Sequence, residues 1–418
     1  MIFVIDSIPR GIVYHRVVQD LNWLLRSLFV DLNNSRKVAR FEDTFSAYIG
    51  RKYCVAFPSA RIALYCSLKS LNLPEGSEII MPPITIKAIL DVVIDLGLTP
   101  VFVDLDAETL CFDIDLLEKS ISEKTGVALV TYLFGMVPDV ERMARILKVR
   151  KVYMLEDFSQ CLDGMYNGLK VGRFGDIGIY SASSIKTLDT FGGGLLVCDK
   201  EQTHQNMRLE QGKLGKSKRL LLIKKIVIDL VRNLATTRVI FALFTFPFIK
   251  LISRIKPKST LKHTGGGNKE MISVLPKEWF VGYSSFQAEV GGKLLMEVPQ
   301  GDRERIKNVE KIKQQAPDTK FPKGIDGAEN VYWQLPAYFD EPYTVQKFLS
   351  GKGVDTSTTS LELISDLPAY PVQGITPVAK YIYDDALFIP AYPGLSDGDI
   401  NRICCALNSY SAQDRQAD

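Results

Sequence analysis

The amino-acid sequence predicts an α/β fold: a mostly parallel central sheet with helices on both faces, followed by a smaller α+β C-terminal domain. Two observations lead to this prediction. The chain has 418 residues, of which 46% are hydrophobic and 24% charged, and this is sufficient for two or three globular domains. From about residue 54 to residue 199, short apolar segments alternate with helix-like ones, which is typical of parallel strands covered by helices.

The predicted elements follow in chain order. VVQDLNWLLRSLFVDL predicts an N-terminal helix. Beyond it, short apolar segments indicate strands at CVAF, EIIMP, TPVFVDL, VALVTYLFG, KVYMLED, IGIYSAS and GGGLLVCD. The segments between them indicate helices at RIALYCSLKSLNL, ITIKAILDVVIDLG, LLEKSISEK and DVERMARILKVR, and THQNMRLEQGK predicts a helix after the last strand.

The C-terminal part of the chain has a different pattern. LKHTGGGNKE, residues 261–270, has the composition of a flexible linker. FQAEVGGKLLMEVPQGDRERIKNVEKIKQQ then predicts a helical segment that returns to the core, and VYWQLPAYF, TVQKFLSGKG, ALFIPAYP and DGDINRICCALN indicate a small α+β domain. We therefore divide the chain into an N-terminal helical segment (1–44), a large domain (45–212), a basic insertion (213–262) and a small C-terminal domain with the return helix (263–418).

Composition excludes several classes of protein. The chain is not collagen-like, disordered or disulfide-stapled, and its net charge of +3 indicates no nucleic-acid partner. Seven scattered cysteines without a CxxC pair suit a reducing cytoplasm, and three histidines far apart in sequence predict no metal site. The first 15 residues lack the features of a secretory signal, so we expect a cytoplasmic location.

The basic insertion combines positive charge with large apolar side chains. Residues 213–262 contain 13 Lys or Arg and one acidic residue, Asp229, whereas the rest of the chain has 38 basic and 47 acidic residues. Neither of its apolar segments reaches the roughly 20 residues of a membrane-spanning helix. We expect the insertion to lie on an anionic membrane, at the inner face of the plasma membrane. The alternative is a cap that packs against its own domain or a second subunit.

Candidate functional residues directly follow predicted strands, because ligands bind at the carboxyl ends of the strands in open parallel sheets. Ser59, Ala60 and Arg61 lie between a strand and a helix N-terminus, where backbone N–H groups, a hydroxyl and a guanidinium can bind phosphate. Asp157 ends an apolar strand, with Gln160 close behind it, and a carboxylate there can pair with a heterocyclic nitrogen. The structural alternatives are a helix cap at Ser59 and a turn cap at Asp157.

A third candidate is Lys186, which follows small hydroxyl residues and precedes three glycines. A buried lysine of lowered pKa can act as a Schiff-base nucleophile, although most lysines are surface charges. The phosphate site comes first, the acidic strand end about 100 residues later, and the lysine about 30 residues further on. This order fits the phosphate, ring nitrogen and aldehyde of pyridoxal 5'-phosphate, so we predict that the chain binds this cofactor.

With these residues the chain resembles the DegT/DnrJ/EryC1/StrS family of sugar aminotransferases, which are fold type I enzymes that use pyridoxal phosphate. The similarity runs from FEDTFSAYIGRKYCVAFPSARIAL to GGGLLVCD and returns in LFIPAYPGLSDGDINRICCAL, whereas most of the insertion lies outside it. The resemblance implies a homodimer with shared active sites and a pyridoxal phosphate-binding large domain. It also implies amino transfer from L-glutamate to a nucleotide-activated keto-sugar in surface polysaccharide or lipopolysaccharide biosynthesis.

The resemblance also assigns roles to individual residues. Lys186 corresponds to the Schiff-base lysine, Asp157 to the partner of the pyridinium nitrogen, and Gln160 to the residue near the phenolic oxygen. Ser181 corresponds to the serine that contacts the phosphate. The segment from Ser59 to Arg61 stands where the family has Ser-Gly-Thr.

Several positions depart from the family pattern. Arg61 replaces the threonine, Ile86 replaces an aromatic residue that stacks on the cofactor, and Gln211-Gly212 replaces His-Gly. Phe280 and Gly282 replace an asparagine and an arginine, of which the asparagine reaches the phosphate of the neighbouring subunit in the family. These departures support an alternative function, a non-catalytic and membrane-associated binding or regulatory relative of the same fold. The retained acid, glutamine and lysine favour the transaminase.

Overall fold

A seven-stranded sheet lies at the centre of the protein, whose computed structural model describes residues 7–255, 274–367 and 375–417. The helices, numbered in chain order, are α1 (Val17–Ser27), α2 (Ser35–Ile49), α3 (Ala60–Ser70), α4 (Lys87–Asp95), α5 (Ile114–Ser120), α6 (Val140–Val149), α7 (Glu201–Gly212), α8 (Arg219–Thr236), α9 (Arg238–Ile240), α10 (Phe246–Ile255), α11 (Ser285–Leu294), α12 (Val298–Gln315), α13 (Pro342–Gly351), α14 (Pro377–Asp385) and α15 (Asp397–Ala417). The strands are β1 (Tyr53–Phe57), β2 (Glu78–Met81), β3 (Ile84–Thr85), β4 (Thr99–Phe102), β5 (Thr125–Thr131), β6 (Tyr153–Asp157), β7 (Met165–Tyr166), β8 (Leu169–Lys170), β9 (Ile177–Ser181), β10 (Gly194–Cys198), β11 (Ala328–Glu329), β12 (Leu335–Tyr338), β13 (Glu362–Leu363) and β14 (Ala386–Ile389).

The strands of the central sheet are arranged in the order β1-β10-β9-β6-β5-β2-β4. Neighbours from β9 to β4 pair in parallel, whereas β10 is antiparallel to both β9 and β1. Side chains of β1 alternate between two buried apolar clusters, because successive residues of a strand point to opposite faces. The mostly parallel sheet with a core on each face confirms the predicted fold class.

The small C-terminal domain is built on the antiparallel pair β12 and β14. Helices α12, α13 and α15 supply apolar residues that pack against this pair in a third buried cluster. The N-terminal chain takes part as well, since Ile8 is buried in this cluster and forms a bridge with Val354. The segment at Ile8 and helix α15 therefore pack in the same domain.

The element boundaries differ from the predictions at several places. The predicted helix at ITIKAILDVVIDLG begins only at Lys87, because Ile84–Thr85 pair with Glu362–Leu363 as a short strand. The predicted return helix is interrupted between α11 and α12, with a proline in the first turn of α12. Helix α2 continues across residue 44, so the N-terminal segment and the large domain share a helix. The predicted linker 261–270 lies outside the described residues.

The described part of the basic insertion forms a bent pair of helices. Helix α8 is followed by α9, a π-helical turn at Phe241–Thr245, and α10. Within the described ranges, no helix alone is long and apolar enough to cross a bilayer. Arg219–Thr236 and Arg238–Ser253, which meet at a 67° bend, satisfy the length and composition criteria only as a pair.

A buried polar network joins the N-terminal segment to α8. His15 Nδ1 lies 3.0 Å from Oδ1 of Asp20, and Nε2 lies 3.1 Å from the backbone oxygen of Asp189. Asn233 of α8 donates hydrogen bonds of 2.7 Å to the His15 carbonyl and to Asp20. Because both partners of the imidazole are acceptors, the ring carries two protons and a positive charge. Burial lowers the pKa of His15, but Asp20 and Asp189 outweigh this effect and raise it to about 9.

We predict that the His15 charge stabilises the fold at neutral pH and that this contribution disappears in alkali. An unfolded histidine has a pKa of about 6.5, so the contribution is complete below that pH and is lost as the pH rises through about 9. The free energy of unfolding of the wild type, relative to a His15→Gln variant, should fall by on the order of 3 kcal/mol over this interval. Denaturant titrations at several pH values measure the difference, and parallel pH profiles would contradict the prediction.

Candidate active site

Three strands of the central sheet end at the same edge. Gly194, at the start of β10, lies opposite both Phe57, the last residue of β1, and Ser181, the last residue of β9. Asp157, the last residue of β6, lies opposite Ile179 of β9. Because adjacent strands are about 4.8 Å apart, the residues that follow β1, β6 and β9 gather at this edge. The three candidate groups predicted from the sequence therefore lie together.

The first group surrounds the N-terminus of α3. Ser59 is the N-cap residue of this helix, and its hydroxyl accepts a 3.4 Å hydrogen bond from the N–H of Ile62. A Cβ atom at Gly194 would lie 2.4 Å from the backbone oxygen of Ser59 and 2.7 Å from the nitrogen of Ala60, so only glycine lets β10 approach so closely. The first N–H groups of α3, at Ala60 and Arg61, have no partner within the helix and can bind an anion. Capping and anion binding are thus compatible here.

Two cations lie beside this helix N-terminus, along a cavity of about 250 Å³ that Ser59, Arg61 and Lys225 help to line. The Arg61 guanidinium lies over Trp279, 4.4 Å from the ring centroid. The Lys225 amine reaches the glycine loop, where a Cβ atom at Gly192 would lie 2.5 Å from Nζ. Burial lowers the pKa of Lys225, and the charge of Arg61 lowers it further. Two like charges beside one cavity favour an anionic ligand.

Asp157 is the partly buried acid at this edge. Burial raises the pKa of its carboxyl, against the hydrogen bond from Ser159 and the charge of Lys186. Its Oδ1 accepts a 3.0 Å hydrogen bond from the N–H of Ser159. The adjacent Glu156 has a structural role, because it accepts hydrogen bonds from the Tyr132 hydroxyl and from two backbone N–H groups. Of the two acids, only Asp157 has the capacity to bind a ligand.

Lys186 follows a strained residue. Ile185 has a φ of 68°, in the left-handed region that β-branched residues rarely adopt. Its carbonyl accepts a 3.0 Å hydrogen bond from the Trp333 indole, and Lys186 Nζ lies 3.9 Å from the centroid of the same indole ring. Burial lowers the pKa of Lys186 to about 8, against the opposing charge of Asp157. The amine is therefore partly neutral, and nucleophilic, near neutral pH.

Ser181 and Gln160 complete the predicted set. The N–H of Ser181 donates a 2.9 Å hydrogen bond to the Ser159 hydroxyl, and its own hydroxyl lies 3.0 Å from that of Ser183. The side-chain oxygen of Gln160 accepts a 2.6 Å hydrogen bond from the N–H of Phe134. Ser181 is the last residue of β9, and Gln160 follows Asp157, the last residue of β6. The cofactor contacts that the resemblance implies for them stay predictions.

The positions that depart from the family pattern make contacts within the protein. Phe280 packs edge-on against Tyr65, with ring centroids 5.2 Å apart. The Gln211 amide donates a 2.7 Å hydrogen bond to the carbonyl of Ala56 in β1. Ile86 directly precedes α4, and 41% of its surface is exposed. Phe280 and Gln211 thus have structural roles.

A larger cavity, of about 340 Å³, adjoins the Lys186 loop, and we call it the chamber. Ile185 and Trp333 form its wall on the lysine side, and residues 9–14 and the C-terminal domain form further walls. The insertion closes the chamber through Arg232 and neighbouring residues of its two helical segments. The guanidinium of Arg232 donates to the hydroxyl of Ser184, two residues before Lys186. The insertion is therefore part of the surroundings of the candidate active site.

The sequence analysis missed three residues of this site, Trp333, Lys225 and Arg232. Trp333 gave no signal, because only tertiary structure brings it to the Lys186 loop. Lys225 and Arg232 lie on a polar stripe, with Asp229 and Asn233, along a helix that is otherwise apolar. Such a stripe indicates a helix side that faces a polar site, and this signal was present in the sequence.

Comparisons with known proteins agree with this geometry. Residues 14–219 match the sequence profile of the DegT/DnrJ/EryC1/StrS aminotransferase family. A 160-residue segment is 32% identical to GDP-perosamine synthase of Escherichia coli O157:H7, covering 38% of this chain and 44% of that protein. A 178-residue segment is 30% identical to the spore coat polysaccharide biosynthesis protein SpsC of Bacillus subtilis, covering 43% and 46%. The chain thus spans about half the length of the curated relatives it matches.

The fold likewise has solved counterparts. An aminotransferase from Psychrobacter cryohalolentis superimposes with a TM-score of 0.74 at 19% sequence identity, covering 97% of this chain and 99% of the other. At this identity the comparison establishes the fold. The groups at the sheet edge also fit pyridoxal phosphate. They comprise the N–H groups of a helix with two cations beside it, the carboxyl of Asp157 and a lysine of lowered pKa.

We predict that Gly194→Ala destabilises the junction between β10 and α3. The new methyl group would overlap the Ser59 backbone, so the free energy of unfolding should fall by about 1–3 kcal/mol. Gly212→Ala is the matched control, because a Cβ atom at that helical position meets no neighbour and alanine favours a helix. Denaturant titrations compare the two variants, and equal stability would contradict the predicted overlap.

Proposed function

Because the chain belongs, through residues 14–219, to the DegT/DnrJ/EryC1/StrS aminotransferase family, we propose that it is a pyridoxal phosphate-dependent sugar aminotransferase. It transfers the amino group of L-glutamate to a keto-sugar, which we propose is nucleotide-activated. One observation carries the proposal: the N-terminus of α3, the carboxyl of Asp157 and a lysine of lowered pKa lie together at one edge of the sheet. The names of the relatives, a perosamine synthase and a coat polysaccharide protein, support a role in surface polysaccharide biosynthesis.

Different residues of this chain would bind different parts of the cofactor. Ser59 and the first N–H groups of α3 bind the phosphate, and Arg61 and Lys225 neutralise its charge. Ser181 adds a hydroxyl at the end of β9. Asp157 would pair with the ring nitrogen, and its carboxylate form, which the charge of Lys186 favours, would accept the hydrogen bond of the protonated nitrogen. Bound pyridoxal phosphate supplies an electron sink for negative charge on the reacting carbon.

Lys186 performs the proton transfers. With a pKa of about 8, roughly a tenth of the molecules carry the neutral amine at pH 7, far more than for an exposed lysine. The neutral Nζ would hold the cofactor through its aldehyde, and as a free amine it would accept a proton from one carbon atom of the substrate and return it to another. Trp333 orients this amine in two ways. The face of its indole ring contacts Nζ of Lys186, and its indole N–H donates a hydrogen bond to the carbonyl of Ile185.

The chamber is the proposed site of the keto-sugar. It adjoins the Lys186 loop, and aromatic walls such as Trp333 and Tyr332 can stack on a sugar ring. Arg232 offers a positive charge on the insertion side for the phosphates of an activated sugar. The homodimer implied by the family resemblance stays a prediction, which sedimentation of the purified protein tests.

We predict that Lys186 alone forms a covalent adduct with pyridoxal phosphate. Borohydride reduction followed by peptide mass spectrometry should locate the label at Lys186, and Lys186→Ala should abolish both the label and turnover. Lys313→Ala is the matched control, because burial also lowers the pKa of Lys313 to about 8, away from Asp157. The labelling rate should rise with pH and level off above about 8, since only the neutral amine reacts. A missing or misplaced label would favour the non-catalytic alternative.

We predict that Lys225 binds the cofactor phosphate. Lys225→Ala should weaken pyridoxal phosphate binding about ten-fold, equivalent to about 1.4 kcal/mol, and leave the binding of pyridoxal, which lacks the phosphate, unchanged. Lys224→Ala is the control, since this neighbouring side chain is exposed and points about 100° around α8 from Lys225. Absorbance titration of the apoprotein measures each affinity. An equal loss for pyridoxal and pyridoxal phosphate would contradict the assignment.

A further inference from the structure

Helix α8 is oriented with its polar stripe toward the protein and an apolar stripe toward the outside. Asp229 and Asn233 are buried, and Lys225 lies against the glycine loop. On the opposite side, Leu220 is 82% and Val231 59% exposed. Leu222, Ile226 and Leu230 are buried as well, so the helix is apolar toward both the core and the outside, whereas a surface helix in water has a polar outer side. The orientation therefore indicates an apolar environment outside the molecule.

Neighbouring helices extend this apolar side. Helix α1 packs along α8 and has its own row of exposed apolar residues, and Phe29, two residues after the end of α1, is 87% exposed. The segment that follows α8 adds two exposed phenylalanines, Phe244 and Phe248. We call the whole surface the outer face; it comprises Val18, Leu21, Leu25, Phe29, Leu220, Val227, Ile228, Val231, Val239, Leu243, Phe244, Phe248, Leu251 and Ile255. Monomeric soluble proteins rarely expose so many large apolar residues on adjoining helices.

We propose that the outer face docks on an anionic phospholipid bilayer, at the inner leaflet of the plasma membrane. Charge identifies this partner. Asp229, the one acidic residue of 213–262, is buried and bonded to Ser184, whereas Lys216, Lys218 and Lys224 are exposed. Each lysine near an anionic surface contributes on the order of 1 kcal/mol. In a two-fold contact between copies this basic surface would meet an identical one, in which the only acidic residue of the insertion, Asp229, is buried.

Some of the basic side chains of the insertion form hydrogen bonds within the protein and are therefore not available to the membrane. Arg219 donates to backbone carbonyls at the end of α1, Arg232 to Ser184, and Arg238 to the carboxylate of Asp399. Burial of apolar side chains therefore contributes most of the binding, and the exposed lysines add the preference for anionic lipid. The 67° bend places the two segments in different directions, which suits helices lying in the interface.

Flotation of the purified full-length protein with liposomes tests this proposal. The wild type should float with vesicles of phosphatidylcholine and phosphatidylglycerol, and less with phosphatidylcholine alone or at high salt. The double variant Phe244→Asp/Phe248→Asp should reduce flotation about ten-fold or more, because it adds charge to exposed apolar positions. Val149→Asp is the matched control, since it makes the same kind of change at a residue 80% exposed on α6.

Two further measurements separate the alternatives. Circular dichroism establishes that the variants fold, and Lys186→Ala should float like the wild type, so that a failure of the proposed chemistry leaves this test intact. Light scattering in the absence of lipid reports the oligomeric state. A wild-type dimer that the double variant converts to a monomer would overturn the proposal in favour of a contact between copies. Absence of flotation with either type of vesicle would also overturn it.

Discussion

The antiparallel strand β10, inserted between β1 and β9, is the constraint on which the candidate site depends. Its first residue, Gly194, lies opposite the last residues of both neighbours. This register brings the N-terminus of α3 and the start of the Lys186 loop to one edge, and Asp157 joins them from the next strand. A side chain at Gly194 would separate β10 from Ser59. Close backbone packing at Gly194 thus determines where the candidate groups of the site lie.

The insertion adds two charged residues, Lys225 and Arg232, to the surroundings of the candidate site. In the family pattern, an asparagine of the neighbouring subunit reaches the cofactor phosphate, and here the corresponding residue is Phe280. The structure instead brings Lys225 of the chain's own α8 to the cavity beside Ser59. Arg232, two turns further along the same helix, contacts the loop that carries Lys186. Lys225 and Arg232 of one polar stripe therefore lie within a single chain beside the candidate site, at the cavity next to Ser59 and at the Lys186 loop.

The sequence predicted the fold class and the candidate residues because both depend on local pattern. Short apolar segments marked the strands, and Ser59, Asp157 and Ser181 follow or end them directly. What the sequence did not predict depends on contacts between distant segments. The pairing of Ile84–Thr85 with Glu362–Leu363 and the contact of Trp333 with Lys186 have no local signature. The side toward which the polar stripe of α8 faces likewise depends on distant contacts, with α1 and with the buried network around His15.

Helix α8 is a single layer between the Lys186 loop and the exterior of the protein. A helix with its side chains is about 10–12 Å across, so the outer face and the hydroxyl of Ser184 are separated by roughly one helix diameter. The roll of this helix about its axis is fixed from the inside, by Arg232 with Ser184 and by Asn233 with His15 and Asp20. Any force that turns the helix from outside must break these bonds. The Lys186 loop and the outer face are thus connected through one helix.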